Sequence, residues 1–246
     1  MARTLLIDAD ILAFQVASSQ ESIFEFCGEH VLHANLDDGI KAVKETLDHI
    51  KENTDSDELS LFLTGSNNFR KNVLHTYKGN RTNTRKPMIL SGLRNWMLEN
   101  TRCFLEDTLE GDDLIGIHAT MPHKGERVVY SADKDLKTVP GLHWDTEDGE
   151  VYEIIESDAD RLFFSQVLTG DPTDNYKGCQ GCGPVKAAKL LEGRVDNKER
   201  WETVINAYAK AGLTEKDALQ QARCARILRH GEYDFEAKKV ILWTPN

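Results

Sequence analysis

The sequence predicts an α/β fold, with a mostly parallel central sheet flanked by helices and a helical module following it. Three observations carry the prediction. Short apolar runs alternate with stretches of helical spacing through residues 1–157, the pattern of strands joined by helical crossovers. The apolar runs at 4–8 and 127–131 lead into acidic residues, which places acids at the carboxyl ends of strands, where open sheets bind ligands. After Ser157 helical stretches predominate, interrupted by a glycine-rich segment over 170–183. The predicted division is 1–157 and 158–246, the second part ending in a returning strand.

The elements follow in order. Residues 4–8 read as a buried strand. Residues 37–54 place Ile40, Val43, Leu47 and Ile50 at helical spacing, with Asp37 or Asp38 as the cap. Residues 59–64 read as a second strand and 67–75 as a short helix. Residues 77–87 are polar, basic and aperiodic, which predicts a loop, and a helix resumes over 88–99. Residues 103–105 are strand-like, 111–120 form a helix with Leu114, Ile115 and Ile117 apolar, and 127–131 form a third clear strand. Residues 142–146 and 151–155 flank Glu147-Asp148-Gly149 and predict a hairpin or two edge strands. Helices are predicted over 158–168, 185–191, 198–211 and 215–230, then a strand-like run over 239–243.

Composition bounds the function. Of 246 residues 40% are hydrophobic, enough for a core. No stretch approaches twenty consecutive apolar residues, and the first residues lack the pattern of a signal peptide, so no membrane association is expected. Five cysteines at irregular spacing argue against a disulfide scaffold and for a reducing cytoplasm. The net charge of −11 does not suggest a general polyanion binder. Its distribution does: between residues 66 and 102, Arg70, Lys71, Lys78, Arg81, Arg85, Lys86, Arg94 and Arg102 face the single acid Glu99. This basic island is either a solvated face or a contact for a phosphate backbone.

Four acidic groups stand out: Asp8 with Asp10; Glu110, Asp112 and Asp113; Asp133 with Asp135; and Asp171 with Asp174. Two carboxylates about 4–6 Å apart repel by roughly 3 kcal/mol at an effective dielectric of 20. If the fold gathers these groups, divalent cations or protons must neutralise them, and an all-oxygen ligand set favours Mg²⁺ or Mn²⁺. Acids from several strands can hold two ions for phosphoryl transfer. Lys78 and Arg81 supply charge to offset a transition state, and Tyr77 can stack on a base. In the glycine-rich segment, Gly181 and Gly183 permit a tight turn, Pro184 suits the first turn of a helix, and Lys186 and Lys189 follow one turn apart. The segment is either a bare glycine turn or a helix–hairpin–helix pattern, which binds a DNA backbone without reading bases. Cys179 and Cys182 form a C-x-x-C pair that no second pair or histidine completes into a zinc site.

Leu6-Ile7-Asp8-Ala9-Asp10, Tyr77-Lys78-Gly79-Asn80-Arg81, Leu109-Glu110-Gly111-Asp112-Asp113, Ser131-Ala132-Asp133-Lys134-Asp135 and the hairpin over 170–191 resemble the structure-specific 5′ nucleases, the flap endonuclease superfamily. Ala222-Arg223-Cys224-Ala225-Arg226-Ile227-Leu228-Arg229 looks like the branch of 5′→3′ exonucleases from short-tailed phages. The resemblance implies a PIN-like nuclease domain with a helix–three-turn–helix module. It implies two Mg²⁺ ions, with Mn²⁺ able to substitute, on Asp8, Glu110, Asp112, Asp133, Asp135, Asp171 and Asp174. It also implies catalytic roles for Lys78, Arg81 and Asp113. Contacts to DNA would come from Tyr77, Arg85, Lys86, Gly181, Gly183, Lys186 and Lys189, with K⁺ at the hairpin. The implied substrates are duplex DNA with 5′ ends or flaps and RNA–DNA hybrids, cut by a monomer in the host cytoplasm, in primer removal, recombination or breakdown of host DNA. One departure stands out: relatives usually carry an aspartate just after the second strand, whereas this chain has Leu63-Thr64-Gly65-Ser66-Asn67.

Two rival readings share these residues. Asp8-Ala9-Asp10 after a strand also resembles the nucleophile loop of haloacid-dehalogenase-like phosphatases, with Thr64 and the Asp171–Asp174 group as further motifs. The missing acid near Gly65 also suits a catalytically weakened DNA-end binder.

Overall fold

Alternation within one strand splits the core into two faces. In β1 (Arg3–Asp8), Leu5 and Ile7 point to one side of the sheet and Leu6 to the other, all essentially without solvent contact. The computed structural model describes residues 2–81 and 85–245. From β1 the chain runs through α1 (Ala9–Ser19), a hairpin of β2 (Ser22–Phe26) and β3 (Glu29–His33), α2 (Leu36–Asn53), β4 (Glu58–Thr64) and α3 (Arg70–Val73). It continues through α4 (Leu90–Asn100), β5 (Cys103–Glu106), α5 (Gly111–Thr120), β6 (Glu126–Tyr130), β7 (Gly141–Trp144) and β8 (Val151–Ile154). The helical part comprises α6 (Glu156–Thr169), α7 (Pro184–Leu191), α8 (Asn197–Lys210) and α9 (Glu215–Ala225), then the short strands β9 (Tyr233–Asp234) and β10 (Lys239–Val240).

The central sheet has the order β5-β4-β1-β6-β7-β8. Its first five strands are parallel and β8 returns antiparallel to β7, the hairpin alternative of the sequence reading. One face packs Leu5, Ile7, Leu61, Leu63 and Val128 against Leu12, Val43, Leu47, Leu93 and Met97 of α1, α2 and α4. The other packs Leu6, Phe62 and Val129 against Leu114, Ile115 and Ile117 of α5. This is the α/β architecture read from the sequence. Among the described residues no helix is long and apolar enough to cross a membrane.

Several boundaries differ from expectation. Asn35, rather than Asp37 or Asp38, caps α2 by accepting from the Asp37 amide. The short helix expected over 67–75 is a single turn. The helix expected to run to residue 230 stops at Ala225. Arg226 and Arg229 turn inward there, where Arg226 pairs with Glu232 and Arg229 with Asp160. The expected strand over 239–243 is ordered as a strand only at β10; beyond it Trp243 stacks edgewise on Phe163 and Trp201.

The apolar clusters also cross the division expected at residue 157. Tyr77 joins the helical cluster of Phe163, Phe164, Val167 and Tyr208. Ile227, Leu228 and Tyr233 join the sheet cluster around Leu6 and Phe62. Gly116 of α5 lies so close to this returning segment that a Cβ there would come within 2.3 Å of the Leu228 carbonyl oxygen.

Candidate active site

Beyond the carboxyl ends of β1, β4 and β6 lies a cavity of about 340 Å³. Asp8, Asp10, Asp112, Asp133, Asp135, Asp171 and Asp174 line it, together with Thr64, Thr173, Ile11 and the cations Lys78, Arg81 and Lys134. A larger cavity, of about 630 Å³ between Thr120, Pro140 and Arg229, has its arginines already matched by Glu232 and Asp160. The acidic cavity is the one with convergent chemistry.

Local structure aims each acid. Asp8 ends β1 and caps α1, its Oδ1 accepting from the amides of Asp10 and Ile11 at 3.0 and 3.2 Å. Asp133, after β6, caps a short 3₁₀ turn by accepting from the Asp135 amide at 2.8 Å. Asp135 Oδ1 accepts from Gln166 Nε2 of α6 at 2.7 Å. α6 ends at Gly170, whose φ of 69° and close approach to the Tyr176–Gly178 backbone leave no room for a side chain. The chain thereby turns back toward the cavity, and Asp171 Oδ1 accepts from the Thr173 amide at 2.6 Å. Asp112 lies in the first turn of α5.

Crowding sets the electrostatics. Burial pushes Asp8 up to about 6, and Asp133 adds to the shift. Burial and then Asp133 and Asp171 push Asp135 up to about 6. Asp112 is pushed above its ordinary value by burial and then by Asp8, Asp133 and Glu110. Lys78 holds a left-handed backbone, φ 52°, fixed by its amide donating to the Asp174 carbonyl at 2.8 Å. Its Nζ stands 2.5 Å from Glu110 and 3.5 Å from Asp174, while Arg81 Nη2 donates to Asp174 at 2.6 Å. Burial alone would raise Glu110, but Arg70 and Lys78 hold it below its ordinary value.

The structure reassigns several of the expected residues. Asp113 does not reach the cavity. It is fully buried, accepts two 2.7 Å bonds from Arg70, and accepts the amides of Glu110 and Leu228 at 3.1 Å. Its expected catalytic role gives way to a structural one, because no face of the carboxylate is open. Tyr77 cannot stack on a base: it is 3% exposed, and its hydroxyl donates to Asp174 at 2.7 Å. Glu110, expected among the metal ligands, is not in the cavity lining and stands behind Lys78. Arg85 forms a two-point pair with Glu21, whose carboxylate also takes the Met88 amide. Lys86 is exposed, and residues 82–84 of the same expected loop lie outside the described residues.

Of the hairpin glycines, Gly181 has φ 70°, but Gly183 has φ −80° as the N-cap of α7 and needs no glycine-only conformation. Lys186 and Lys189 are exposed on α7, and Lys186 Nζ donates to the Gly181 carbonyl at 3.1 Å. The basic island is largely neutralised within the chain. Arg70, Lys78, Arg81, Arg85, Arg94 and Arg102 all pair with acids from outside it. Sequence reasoning missed Arg70 and Arg94, whose partners lie 43 and 84 positions away and leave no local signal.

The donor set fits a divalent cation. The lining offers carboxylate oxygens with neither histidine nor cysteine, and the mutual repulsion of Asp8, Asp112, Asp133 and Asp135 is relieved by positive charge. Among the described residues no three such side chains already form a closed ligating group; they converge on a shared space instead.

No protein-family model matches the chain. It is 32% identical to the exonuclease of Escherichia phage T7, an alignment spanning 98% of this chain and 93% of that protein. The chain belongs to the phage exonuclease branch of the 5′ nucleases. The exodeoxyribonuclease of Enterobacteria phage T3 is also 32% identical, over 98% of this chain and 92% of its own length. Among solved structures, the zinc-bound 5′-exonuclease of phage T5 has the same fold, with a TM-score of 0.62 at 15% identity, covering 91% of this chain and 93% of that one. The phage T5 flap endonuclease crystallised with DNA and metal ions gives 0.64 at 14% identity, covering 90% of each chain.

Membership in the 5′ nucleases sets the phosphatase reading aside, and the topology agrees, since Asp171 follows a helix rather than a strand. In this 5′ nuclease the missing acid has a steric correlate. A Cβ on Gly65 would lie 2.2 Å from the Glu106 carbonyl oxygen and 2.4 Å from that of Asp107. Gly65 itself admits no side chain, while Ser66 and Asn67 beside it are exposed. Thr64 turns its hydroxyl to the Gly111 amide at 3.0 Å.

Proposed function

We propose that this 5′ nuclease hydrolyses phosphodiester bonds at the 5′ ends of duplex DNA and at 5′ flaps, with Mg²⁺ as its natural ion and Mn²⁺ as a working substitute. The observation that supports this most is the gathering of Asp8, Asp112, Asp133, Asp135, Asp171 and Asp174 around one cavity with Lys78 and Arg81 at its edge. Those six carboxylates are the proposed ligands, with Glu110 serving through Lys78. When bound, divalent ions supply a Lewis acid that activates water and neutralises the phosphate.

The chain's own groups do the rest. Lys78 and Arg81 bind the non-bridging phosphate oxygens and offset the charge that builds during displacement. Asp174 and Tyr77 orient them: Asp174 accepts from Arg81, Tyr77 donates to Asp174, and the Lys78 ammonium lies between Asp174 and Glu110. An arriving phosphate competes with these carboxylates for the two cations, so substrate and acid site are coupled. The turn at Gly181 with the exposed Lys186 and Lys189 grips duplex backbone without reading bases, with K⁺ as the proposed ion there. RNA–DNA hybrids present a similar backbone and are a second proposed substrate, acted on by a monomer in the host cytoplasm.

The test is a cleavage map on 5′-labelled blunt duplex, 5′ flap and RNA–DNA hybrid, with Mg²⁺, with Mn²⁺ and with chelator. The expected result is metal-dependent release from the 5′ end that Asp133→Asn abolishes. Undiminished cleavage in excess chelator, or release from the 3′ end, would overturn the proposal.

A further inference from the structure

Among the described residues the cavity aspartates differ in their partners: Asp171 pairs with Lys134 and Asp174 with Lys78 and Arg81, all cations of the lining, whereas Asp10 pairs with a cation outside it. Asp8, Asp133 and Asp135 each commit one carboxylate oxygen, Oδ1, to a neutral donor that orients the group. Among the described residues none of the three pairs with lysine or arginine. Asp10 commits both oxygens. Its Oδ2 accepts from the Thr64 amide at 2.8 Å, and its Oδ1 is ion-paired with Arg94 of α4. Arg94 Nη2 donates in turn to the Thr64 carbonyl at 2.6 Å, which closes a ring of three residues in the cavity wall.

Asp10 is nonetheless within reach of the cavity. It is among the lining residues, and its Oδ2 lies 3.6 Å from where a Cβ on Gly111 would be, over the start of the helix that carries Asp112. Beside it, Gly65 has no room for a side chain and Thr64 is neutral.

We propose that Arg94 is a positioning residue that withholds Asp10 from divalent cations, and thereby sets the site's affinity for them below what its aspartates could supply. The inference rests on the metal-dependent reading above. Arg94 acts as a built-in monovalent counter-charge: it cancels one carboxylate and fixes its orientation. Losing a residue that orients a metal ligand costs roughly 10–100-fold in metal affinity; Arg94 instead competes with the ion for its carboxylate, so its removal acts in the opposite sense, on a comparable scale.

The test is Mn²⁺ binding to the full-length protein without DNA, followed by electron paramagnetic resonance of the free ion. Arg94→Gln removes the charge but keeps a donor for the Thr64 carbonyl. It is expected to tighten Mn²⁺ binding by about tenfold, the lower end of that range. The gain should vanish in the double variant Arg94→Gln/Asp10→Asn, and Arg94→Lys should stay near the wild type. Should Arg94→Gln not fold, Arg94→Met carries the same expectation. Unchanged or weaker Mn²⁺ binding in a folded charge-removing variant overturns the proposal, as does a gain that persists without Asp10. Asp133→Asn reports separately on the underlying reading: if it binds Mn²⁺ like the wild type, the carboxylate cavity is not the ion site.

Discussion

Asp113 offers the sharpest separation of structure from chemistry. It stands beside Asp112 in sequence but faces the opposite way, into the seam between α5 and the returning C-terminal segment. Asp113→Asn keeps the volume and removes the charge, leaving the Arg70 guanidinium, itself 2% exposed, with Glu110 at 3.6 Å as its remaining acidic partner among the described residues. Breaking a fully buried pair by neutralising one partner costs about 3–5 kcal/mol. A kilocalorie shifts the melting temperature of a chain this long by about 2–4 °C, so a fall of roughly 6–20 °C is expected. Arg70→Met should fall comparably, and the double variant by less than the sum, because the partners share one interaction. The assay pairs circular-dichroism melts with cleavage measured well below the lower melting point, where activity should stay within about tenfold of the wild type. A general acid or base contributes about 10²–10⁴ in rate. An unchanged melt accompanied by a loss of that size would refute the structural assignment and return Asp113 to the catalytic group.

Further outcomes follow from the cavity and the hairpin. Asp8 and Asp135, raised to about 6, hold protons in the folded state that the unfolded chain has already released, so ionising them disfavours folding. That penalty is absent below about pH 4 and complete above about pH 6, so millimolar Mn²⁺ should raise the melting temperature more at about pH 8 than at about pH 5; equal increments would show that the ion does not bind these groups. Lys78→Ala should slow cleavage by about 10²–10³ while duplex affinity, read by fluorescence anisotropy, changes little, and a collapse of binding with preserved turnover would contradict a transition-state role. Lys186→Ala and Lys189→Ala should each reduce the salt dependence of duplex binding by about one phosphate's worth, and an unaltered slope would remove α7 from the interface. Gly181→Ala, forced to φ 70°, should cost about 1–2 kcal/mol in a denaturant melt, whereas Gly183→Ala should be neutral; the reverse order would contradict the described turn.

What could be read from the chain follows the range of the forces involved. Strands β1, β4 and β6 and helices α2 and α5 declare themselves through local periodicity, and the acids at their ends follow from the parallel topology. α1 carries no expectation because its apolar residues spread around much of the helix and its cap, Asp8, reads first as chemistry. The β2–β3 hairpin is silent because its turn, Cys27 and Gly28 with φ of 53° and 82°, lacks the usual Asn-Gly signature and both strands are largely exposed. Tyr77 and Asp113 depart from the sequence expectation for one reason. Side chains that look polar and available in a motif are used up by partners such as Asp174 and Arg70, brought close only by the tertiary fold. Gly183 shows the converse, a glycine in a turn motif that sits in an ordinary conformation.

The segment after α9 has a consequence for how this nuclease comes into being. Leu228 donates its amide to Asp113, and Ile227, Leu228 and Tyr233 fill the sheet face beneath α5. The strands β1, β4 and β6 therefore gain this packing layer only once residues 227–233 have been added to the chain. Every acid of the cavity, from Asp8 to Asp174, precedes this segment, so the scaffold around α5 is completed after the last of them has been made. The carboxylate site thus depends on the docking of a segment 115 positions downstream of Asp113.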